Sequence, residues 1–437
     1  MSSFFKDFNK VSKHDWADKI HADLRGKDPS LLKTEDTIEE LKFNCFYHAE
    51  DQKRDISNSA RGIQRNNNNW NNGIHIEIES EAGANTQALK ALMNGADMIW
   101  FRSTKVNTNW EAVLQNIKVE YIKLQISANS FEDIAIINKL TDNSKNIQFN
   151  MDTMSVGETI ISTTLKNQSY LLVNGFSVQQ AGATTWQEIA YCLNAGHEYL
   201  LQLMDSGLTI DQACESISFH VGVGSNYFYE IAKIRALRDL WAKIVRVYNP
   251  ANDKTYSFSI TAVIGHTNKS LSDPHTNLLR QTTESMSALS AGVDSIVVLP
   301  HDMYSESGAS ELAQRMALNI SLVLREESYF GMVVDPLGGS YTIEQLTSMI
   351  GEKAWNEFQH LEKEGGLLNQ DCRSAFAARL NTKREARISQ FMNNEHILIG
   401  INKFMNPAEE KLAWAKLPSY LGVEALNFES LSKIASV

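Results

Sequence analysis

Short β-rich runs alternate with longer amphipathic stretches through the middle of this chain, and that alternation restricts the fold more than any other feature. The β-rich runs are mostly apolar without clean polar alternation, which is typical of strands covered on both faces. The stretches between them carry apolar residues at helical spacing. The pattern predicts eight strands, at residues 98–101, 121–126, 147–151, 170–173, 217–221, 258–263, 295–299 and 331–334.

Glycines mark the points where predicted helices end and strands begin. Gly95 and Gly292 each follow a helical stretch, and an Asp and then a β-rich run come two residues later. Thr185 and Glu188 have the spacing of a capping box, and Pro274 lies where another helix would begin. Repeated helix–glycine–strand units predict an α/β fold, a (β/α)8 TIM barrel. A doubly wound open sheet is the alternative, because pattern alone does not show closure.

The chain divides into three regions by pattern. Residues 1–69 are predicted to form an N-terminal arm and linker, with one helix near residues 16–24 and a polar run of asparagines before Trp70. Residues 70–341 would form the barrel. Residues 342–437 would form a C-terminal helical extension, since residues 353–364 and 372–390 are amphipathic.

Composition and charge exclude several functional classes. The 437-residue chain has a net charge of -11, so no global field draws it toward nucleic acid or an anionic membrane. No apolar run approaches the roughly 20 residues that cross a bilayer, and the N-terminus lacks a secretion signal. The four cysteines lie far apart in sequence, as expected for reduced thiols. We therefore expect a cytoplasmic protein.

Familiar catalytic and metal-binding motifs are missing from the sequence. There is no GxxxxGK[ST], GxSxG or HExxH, and Gly222-Val-Gly224 lacks the third glycine of a dinucleotide-binding loop. The turn Asp335-Pro-Leu-Gly-Gly-Ser340 is interpreted as structural, with anion binding as the alternative. Asp273-Pro-His275 has part of a cobalamin-binding pattern, but Leu278 stands where that pattern needs a glycine, so no cobalt ligand is predicted.

Five blocks of sequence resemble, in order and spacing, the barrel of methylmalonyl-CoA mutases. The first reads Phe176-Ser-Val-Gln-Gln-Ala-Gly-Ala183 and continues through Thr185-Trp-Gln-Glu188. The others are residues 218–226, 231–244, 269–280 and 335–347. The resemblance covers roughly residues 16–400 and is strongest between about 175 and 354.

This resemblance implies an eight-stranded barrel that threads the CoA chain along its axis and faces a separate cobalamin-binding domain. In that family the cofactor adenosylcobalamin supplies the radical chemistry that interconverts methylmalonyl-CoA and succinyl-CoA. The barrel orients the thioester carbonyl and keeps solvent out.

The sequence departs from the catalytic pattern at four places. Phe176 and Ser177 stand where catalytic members have Tyr-His, and serine is too short to replace the imidazole that donates to the thioester carbonyl. The Arg-Gln-Tyr expected after Trp70 is missing, and His75 is only a loose positional substitute. The segment between Met151 and Gly175 is short and has no counterpart of the arginine that binds the substrate carboxylate. No cobalamin domain is expected before the end at residue 437.

The departures and the resemblance together imply the small, non-catalytic subunit of a heterodimeric mutase. Ser177, Phe176 and His75 would be degenerate active-site positions, with no catalytic, cofactor-binding or metal-binding residue. Adenosylcobalamin would be held by the large catalytic subunit, the expected partner. The stretch 16–41 would pack on that partner, with a cap closing the bottom of the chain's own barrel as the alternative. Two other functions stay open, a catalytic barrel with a separate cobalamin-binding subunit and a module that binds a CoA ester without turnover.

Overall fold

Eight parallel strands form one sheet that closes into a barrel, and helices surround it. The computed structural model describes residues 11–44, 46–51, 67–103, 107–128, 130–153, 168–406 and 412–430. In chain order the strands are β1 (Lys33–Asp36), β2 (Leu41–Asn44), β3 (Asn71–Ile78), β4 (Met98–Ser103), β5 (Lys123–Ser127), β6 (Ile147–Phe149), β7 (Leu171–Asn174), β8 (Ile217–Val223), β9 (Ile260–Ile264), β10 (Ser295–Val298), β11 (Ser419–Tyr420) and β12 (Val423–Glu424). Strands β3 to β10 build the barrel.

The barrel closes through backbone hydrogen bonds between β6 and β7. The strand order is β6-β5-β4-β3-β10-β9-β8-β7, so these two strands form the seam. A parallel bridge pairs Met151 with Leu171, and the amide of Leu172 donates to the carbonyl of Met151 at 3.0 Å. The amide of Phe149 donates to the carbonyl of Ser169 at 2.9 Å. Closure confirms the predicted (β/α)8 TIM barrel over the open sheet.

Helices connect the barrel strands, and further helices precede and follow the barrel in the sequence. They are α1 (Lys13–Asp23), α2 (Glu81–Met93), α3 (Trp110–Val113), α4 (Phe131–Leu140), α5 (Gly175–Gln180), α6 (Thr185–Asp205), α7 (Ile210–Glu215), α8 (Tyr227–Val247), α9 (Thr276–Ser290), α10 (Glu311–Glu326), α11 (Tyr341–Lys363) and α12 (Gln370–Met392). Across the described ranges, no helix combines the length and the apolar character that crossing a membrane requires.

The predicted helix boundaries are largely confirmed, with one shift. Gly95 and Gly292 adopt left-handed φ values of 94° and 79° just past α2 and α9, as helix-ending glycines do. The capping box of α6 uses Thr184 and Gln187, one residue earlier than predicted. Glu188 is instead turned into the barrel wall, where it accepts from the amide of Gly222 at 2.8 Å.

One of the eight predicted strands is wrong. Residues 331–334 do not form a strand, because Met332 and Val333 are 75% and 55% exposed and a short 3-10 helix, Phe330–Met332, occupies part of the segment. The missing strand is β3, Asn71–Ile78, which pairs with both β10 and β4. The other seven predicted runs each overlap a barrel strand.

The barrel strands turn apolar residues outward to the helices and many polar residues inward. In β5, Leu124 and Ile126 pack in the main apolar cluster with the helices, while Gln125, between them, bonds across the barrel. Cys192, Cys214 and Cys372 are free and buried, whereas Cys45 lies outside the described residues. The expectation of strands covered on both faces is confirmed, because β8, β9 and β10 are buried at every position.

The N-terminal region packs on the chain's own barrel. Leu41 is 1% exposed, and the buried carboxylate of Glu39 accepts from the amide of Thr185 at 2.9 Å and from Arg387 at 2.7 Å. Residues 38–41 therefore pack on their own chain, but not at the bottom of the barrel, where the cap is predicted. The contact lies where α6 begins, at the end of the barrel where the strands finish. In α1, Trp16 packs edge-on against Phe46 with ring centroids 4.4 Å apart.

The C-terminal region runs along the barrel and then across its mouth. Helix α11 packs against α6 and α8, and α12 follows it after a short turn. The hairpin β11–β12 turns through Leu421 and Gly422, which both have positive φ, and Tyr420 packs on Phe176 with ring centroids 6.5 Å apart. The predicted extension thus contains a hairpin as well as helices.

Candidate functional site

The lower end of the barrel axis is crossed by a lysine. Lys123 begins β5, and its ammonium lies 3.3 Å from the hydroxyl of Ser259 and 3.2 Å from that of Ser295. Ser295 begins β10 and Ser259 directly precedes β9, so both lie across the barrel from β5. A side chain from one wall therefore reaches the opposite wall where the strands begin.

A second set of hydrogen bonds crosses the axis one layer higher. Gln125 donates from Nε2 to the hydroxyl of Thr261 at 2.7 Å, and its Oε1 lies 3.0 Å from Nε2 of His220. All three residues are buried. On the neighbouring strand, Gln148 donates to Asn150 at 3.0 Å. These bonds join β5, β8 and β9 through the interior of the barrel.

An aromatic layer lies above these bonds. The ring centroid of Trp100 is 4.4 Å from that of His75 and 4.7 Å from that of His220. The indole of Trp100 donates to the hydroxyl of Ser127 at 2.9 Å. Burial lowers the pKa of both His75 and His220 to about 3, with nearby cations adding to the effect, so both imidazoles are neutral near pH 7.

Among the described residues, His75 has no hydrogen-bond partner on either ring nitrogen. It is therefore a packing partner of Trp100 rather than a group held for proton transfer, which general acid–base chemistry requires.

Ser177 and Phe176 lie at the top of the barrel, on the short helix α5. The hydroxyl of Ser177 donates to the carbonyl of Asn174 at 2.8 Å, and the side chain of Asn174 accepts from the amide of Ser177. The Ser177 hydroxyl thus closes the first turn of its own helix. Phe176 belongs to one buried apolar cluster with Trp100, Val263 and other interior residues. Phe176 therefore shares an apolar cluster with Trp100, the tryptophan on which His75 packs.

A cavity of about 710 Å³ lies above Ser177, between the barrel mouth and the C-terminal hairpin. Its lining includes Arg102 from the end of β4, Asp152 and Asn174 from the neighbouring strand ends, and Arg373 from α12. Burial is the main reason that the pKa of Tyr420, which also lines the cavity, is raised to about 12. Its hydroxyl therefore stays protonated at neutral pH.

Buried hydrogen bonds hold the C-terminal segment over the mouth. The amide of Leu426 donates to the carbonyl of Gln180 at 2.7 Å, and the side chain of Asn427 donates to the carbonyls of His266 and Lys269. The carboxylate of Glu429 accepts from the amide of Leu271 at 2.6 Å. The segment is therefore tied to the loop that follows β9.

Buried ion pairs fix the wall of the barrel beside the cavity. The ammonium of Lys233 lies 2.7 Å from the carboxylate of Glu188 and donates to the carbonyl of Gly222 at 2.6 Å. Lys269 pairs with Glu284 at 2.7 Å. Each of these charged groups is almost fully buried and faces its partner, as structural pairs do.

The two other sequence candidates have structural contacts. Asp335 accepts two hydrogen bonds from the guanidinium of Arg235, at 3.0 and 3.1 Å, so its turn is tied to α8. Asp273 accepts from the hydroxyl of Thr276 at 2.7 Å at the start of α9, and His275 is exposed beside it. In the described part of the chain, no group of three or more His, Cys, Asp and Glu side chains is placed to hold a metal ion.

Sequence reasoning missed the residues that cross the axis. One short strand has polar residues at alternate positions, Lys123, Gln125 and Ser127. This period-two pattern indicates a polar face and could have identified them. Arg102 and Tyr420 were missed because their shared cavity joins residues more than 300 positions apart. The sequence analysis predicts no substrate-binding arginine between Met151 and Gly175. Residues 154–167 of that segment lie outside the described residues.

Comparisons with known proteins agree with the motif blocks. A family model described as methylmalonyl-CoA mutase matches residues 136–435. The methylmalonyl-CoA mutase small subunit of Porphyromonas gingivalis is 32% identical over 93% of this chain and 71% of its own length. A probable methylmalonyl-CoA mutase small subunit of Mycobacterium tuberculosis is 32% identical over 60% of this chain and 42% of its own length. The large subunit from Propionibacterium freudenreichii is 31% identical over 56% of this chain and 33% of its own length. The chain thus spans less than half the length of the last two relatives.

Proposed function

The chain belongs to the methylmalonyl-CoA mutase family, and we propose that it is the small structural subunit of a heterodimeric, adenosylcobalamin-dependent mutase. In this proposal the complex interconverts methylmalonyl-CoA and succinyl-CoA in the cytoplasm, and the large subunit carries the reaction. Relatives named as small and large subunits support a heteromeric assembly. The division into an arm at 1–69, a barrel at 70–341 and an extension at 342–437 is part of the same proposal.

The crossed barrel axis is the observation that carries the proposal. A barrel that threads a CoA chain needs an open path between its walls. Here Lys123 spans the lower end of that path, and Gln125 bonds to Thr261 and His220 above it. Opening the path would break these bonds and leave buried polar groups unpaired, at about 1 to 3 kcal/mol for each group. The interior is packed with side chains, as in barrels that hold no axial ligand.

The degenerate site supports the same conclusion. The hydroxyl of Ser177 is committed to the carbonyl of Asn174, so it does not replace a donor to a thioester carbonyl. His75 packs on Trp100 and is neutral near pH 7. Neither residue offers a proton-transfer group that faces an open substrate path.

The described residues do not fit cobalamin ligation by this chain. Asp273 accepts from the hydroxyl of Thr276 at the start of α9, so the segment opens a helix. Leu278 stands in that helix where the cobalamin-binding pattern needs a glycine. We therefore assign adenosylcobalamin to the large subunit and route no step through this chain.

Co-expression with the large mutase chain of the same source tests the proposal. A tag on this chain should retain the large chain in a one-to-one complex that has mutase activity, and this chain alone should be inactive. Failure to retain the large chain would contradict the proposal. Activity of this chain with only a small cobalamin-binding protein would identify it as a catalytic barrel instead.

A further inference from the structure

The cavity above Ser177 has the size and lining of a ligand site. Its volume of about 710 Å³ lies within the range of small-molecule pockets, roughly 300 to 1,000 Å³. The hairpin β11–β12 forms one wall and the barrel mouth forms the other. Most of the lining side chains are polar or charged, which suits a polar ligand better than a sealed apolar interior.

The charges in the cavity favour an anion. Arg102 and Arg373 line it together with one carboxylate, Asp152, so the lining itself carries one net positive charge within a chain of net charge -11. A second carboxylate, that of Glu77, lies outside the lining, 3.4 Å from Arg102. The guanidinium of Arg373 donates to the carbonyl of Leu367 at 3.1 Å and keeps further N–H groups for a ligand. The side chain of Asn174 donates to one oxygen of Asp152 at 2.9 Å. Local positive charge inside a concave surface concentrates anions there even on an acidic protein.

Arg102 has capacity to bind a ligand. It lies at the upper end of β4, its side chain is 54% exposed, and its contact with Glu77 is long, at 3.4 Å. A guanidinium has five N–H donors and can bind a carboxylate or a phosphate through two of them. The protonated hydroxyl of Tyr420 lies in the same lining and is a further donor.

We propose that this cavity binds a small organic dianion, a dicarboxylate or a phosphate monoester, that enters from the mouth of the barrel. The acidic group is bound by Arg102 and Arg373, and the uncharged part lies against Ser177 and Tyr420. A CoA chain along the axis does not take part, because the axis below the cavity is crossed by side chains. The proposal does not depend on the assembly with a large subunit.

Isothermal titration of the full chain tests this site. The probes are glutarate and glucose 6-phosphate, each compared with its uncharged match, glutaramide and glucose. We expect saturable binding of at least one anion in the millimolar range or tighter, and no saturation with either neutral match. A dicarboxylate site and a phosphate site are distinguished by which anion saturates. If neither anion saturates, or the neutral probes bind equally well, the proposal is overturned.

Three variants locate the binding. R102Q should weaken binding about tenfold or more, because a charge-assisted hydrogen bond is lost. S374F places a ring in the cavity from the exposed face of α12 and should abolish binding while the chain stays folded. R315Q, an exposed arginine of α10 outside the cavity, is the matched control and should bind as the wild type does. Unchanged affinity in both R102Q and S374F, or an equal loss in R315Q, overturns the assignment.

Discussion

The hydrogen bond between Gln125 and Thr261 gives the most direct mutational test of a closed barrel axis. These side chains come from β5 and β9 and meet in the interior at 2.7 Å, and both are almost fully buried. We would replace Gln125 by leucine and Thr261 by valine, singly and together. Both substitutions roughly preserve volume, so the change in the free energy of unfolding reports chiefly on hydrogen bonds.

The expected magnitudes follow from the groups that lose partners. In Gln125→Leu, the hydroxyl of Thr261 loses its donor and Nε2 of His220 loses its acceptor. Each unpaired buried group costs about 1 to 3 kcal/mol, so the variant should lose about 2 to 6 kcal/mol. Thr261→Val should lose about 1 to 3 kcal/mol. In the double variant the two losses should overlap by about 1 kcal/mol, since they share one bond.

Urea unfolding followed by circular dichroism and tryptophan fluorescence measures these values. The surface variant Thr283→Val is the matched control and should change the free energy of unfolding by less than about 0.5 kcal/mol. Single variants as stable as that control, with additive effects in the double variant, would refute the bond across the axis. The middle layer of side chains would then not close the path along the axis.

Two further predictions concern buried charge. Burial lowers the pKa of His220 and His266 to about 3, so the unfolded chain binds more protons than the folded chain between about pH 3 and 6.5. The free energy of unfolding should therefore fall as pH drops below 6.5, by about 1.4 kcal/mol per pH unit for each histidine. Urea unfolding of His220→Gln at several pH values should show a slope smaller by the contribution of one histidine. A slope equal to that of the wild type would contradict a neutral, buried His220. Arg235→Leu leaves the buried carboxylate of Glu344 and the partly exposed carboxylate of Asp335 without their cation and should cost about 3 to 5 kcal/mol. Thermal and urea unfolding of this variant beside Arg315→Gln checks it, and equal stability of the two would show that the ion pairs contribute little.

The sequence predicts helix ends and most barrel strands correctly, because these follow from short local patterns. It fails where a strand carries polar residues or where an apolar run is exposed. Glycine ends of helices at Gly95 and Gly292 are local features, and both are confirmed. The run at 331–334 looked like a strand from composition alone, but its apolar side chains are exposed and it pairs with no strand. Strand β3 was missed because its asparagines and His75 interrupt an apolar pattern. In the barrel, His75 faces Trp100 in the interior, whereas Asn72 donates to the carbonyl of Leu318 in α10.

The candidate site was predictable only in part. Resemblance located Phe176, Ser177 and His75; His75 packs on Trp100, and Phe176 belongs to the same apolar cluster as that tryptophan. The bonds across the axis and the cavity beneath the hairpin depend on which strands face each other and where the C-terminal segment crosses. These are properties of closure and of contacts far apart in sequence, which periodicity does not encode.

The number of CoA ester sites in the assembled enzyme tests the central claim most directly. Equilibrium titration of the purified complex with methylmalonyl-CoA, together with titration of each chain alone, counts them. A crossed axis in this chain predicts one site for each pair of large and small subunits, and none on this chain alone. Two sites for each pair, or saturable binding to this chain alone, would show that the path through its barrel is open and would contradict the structural role.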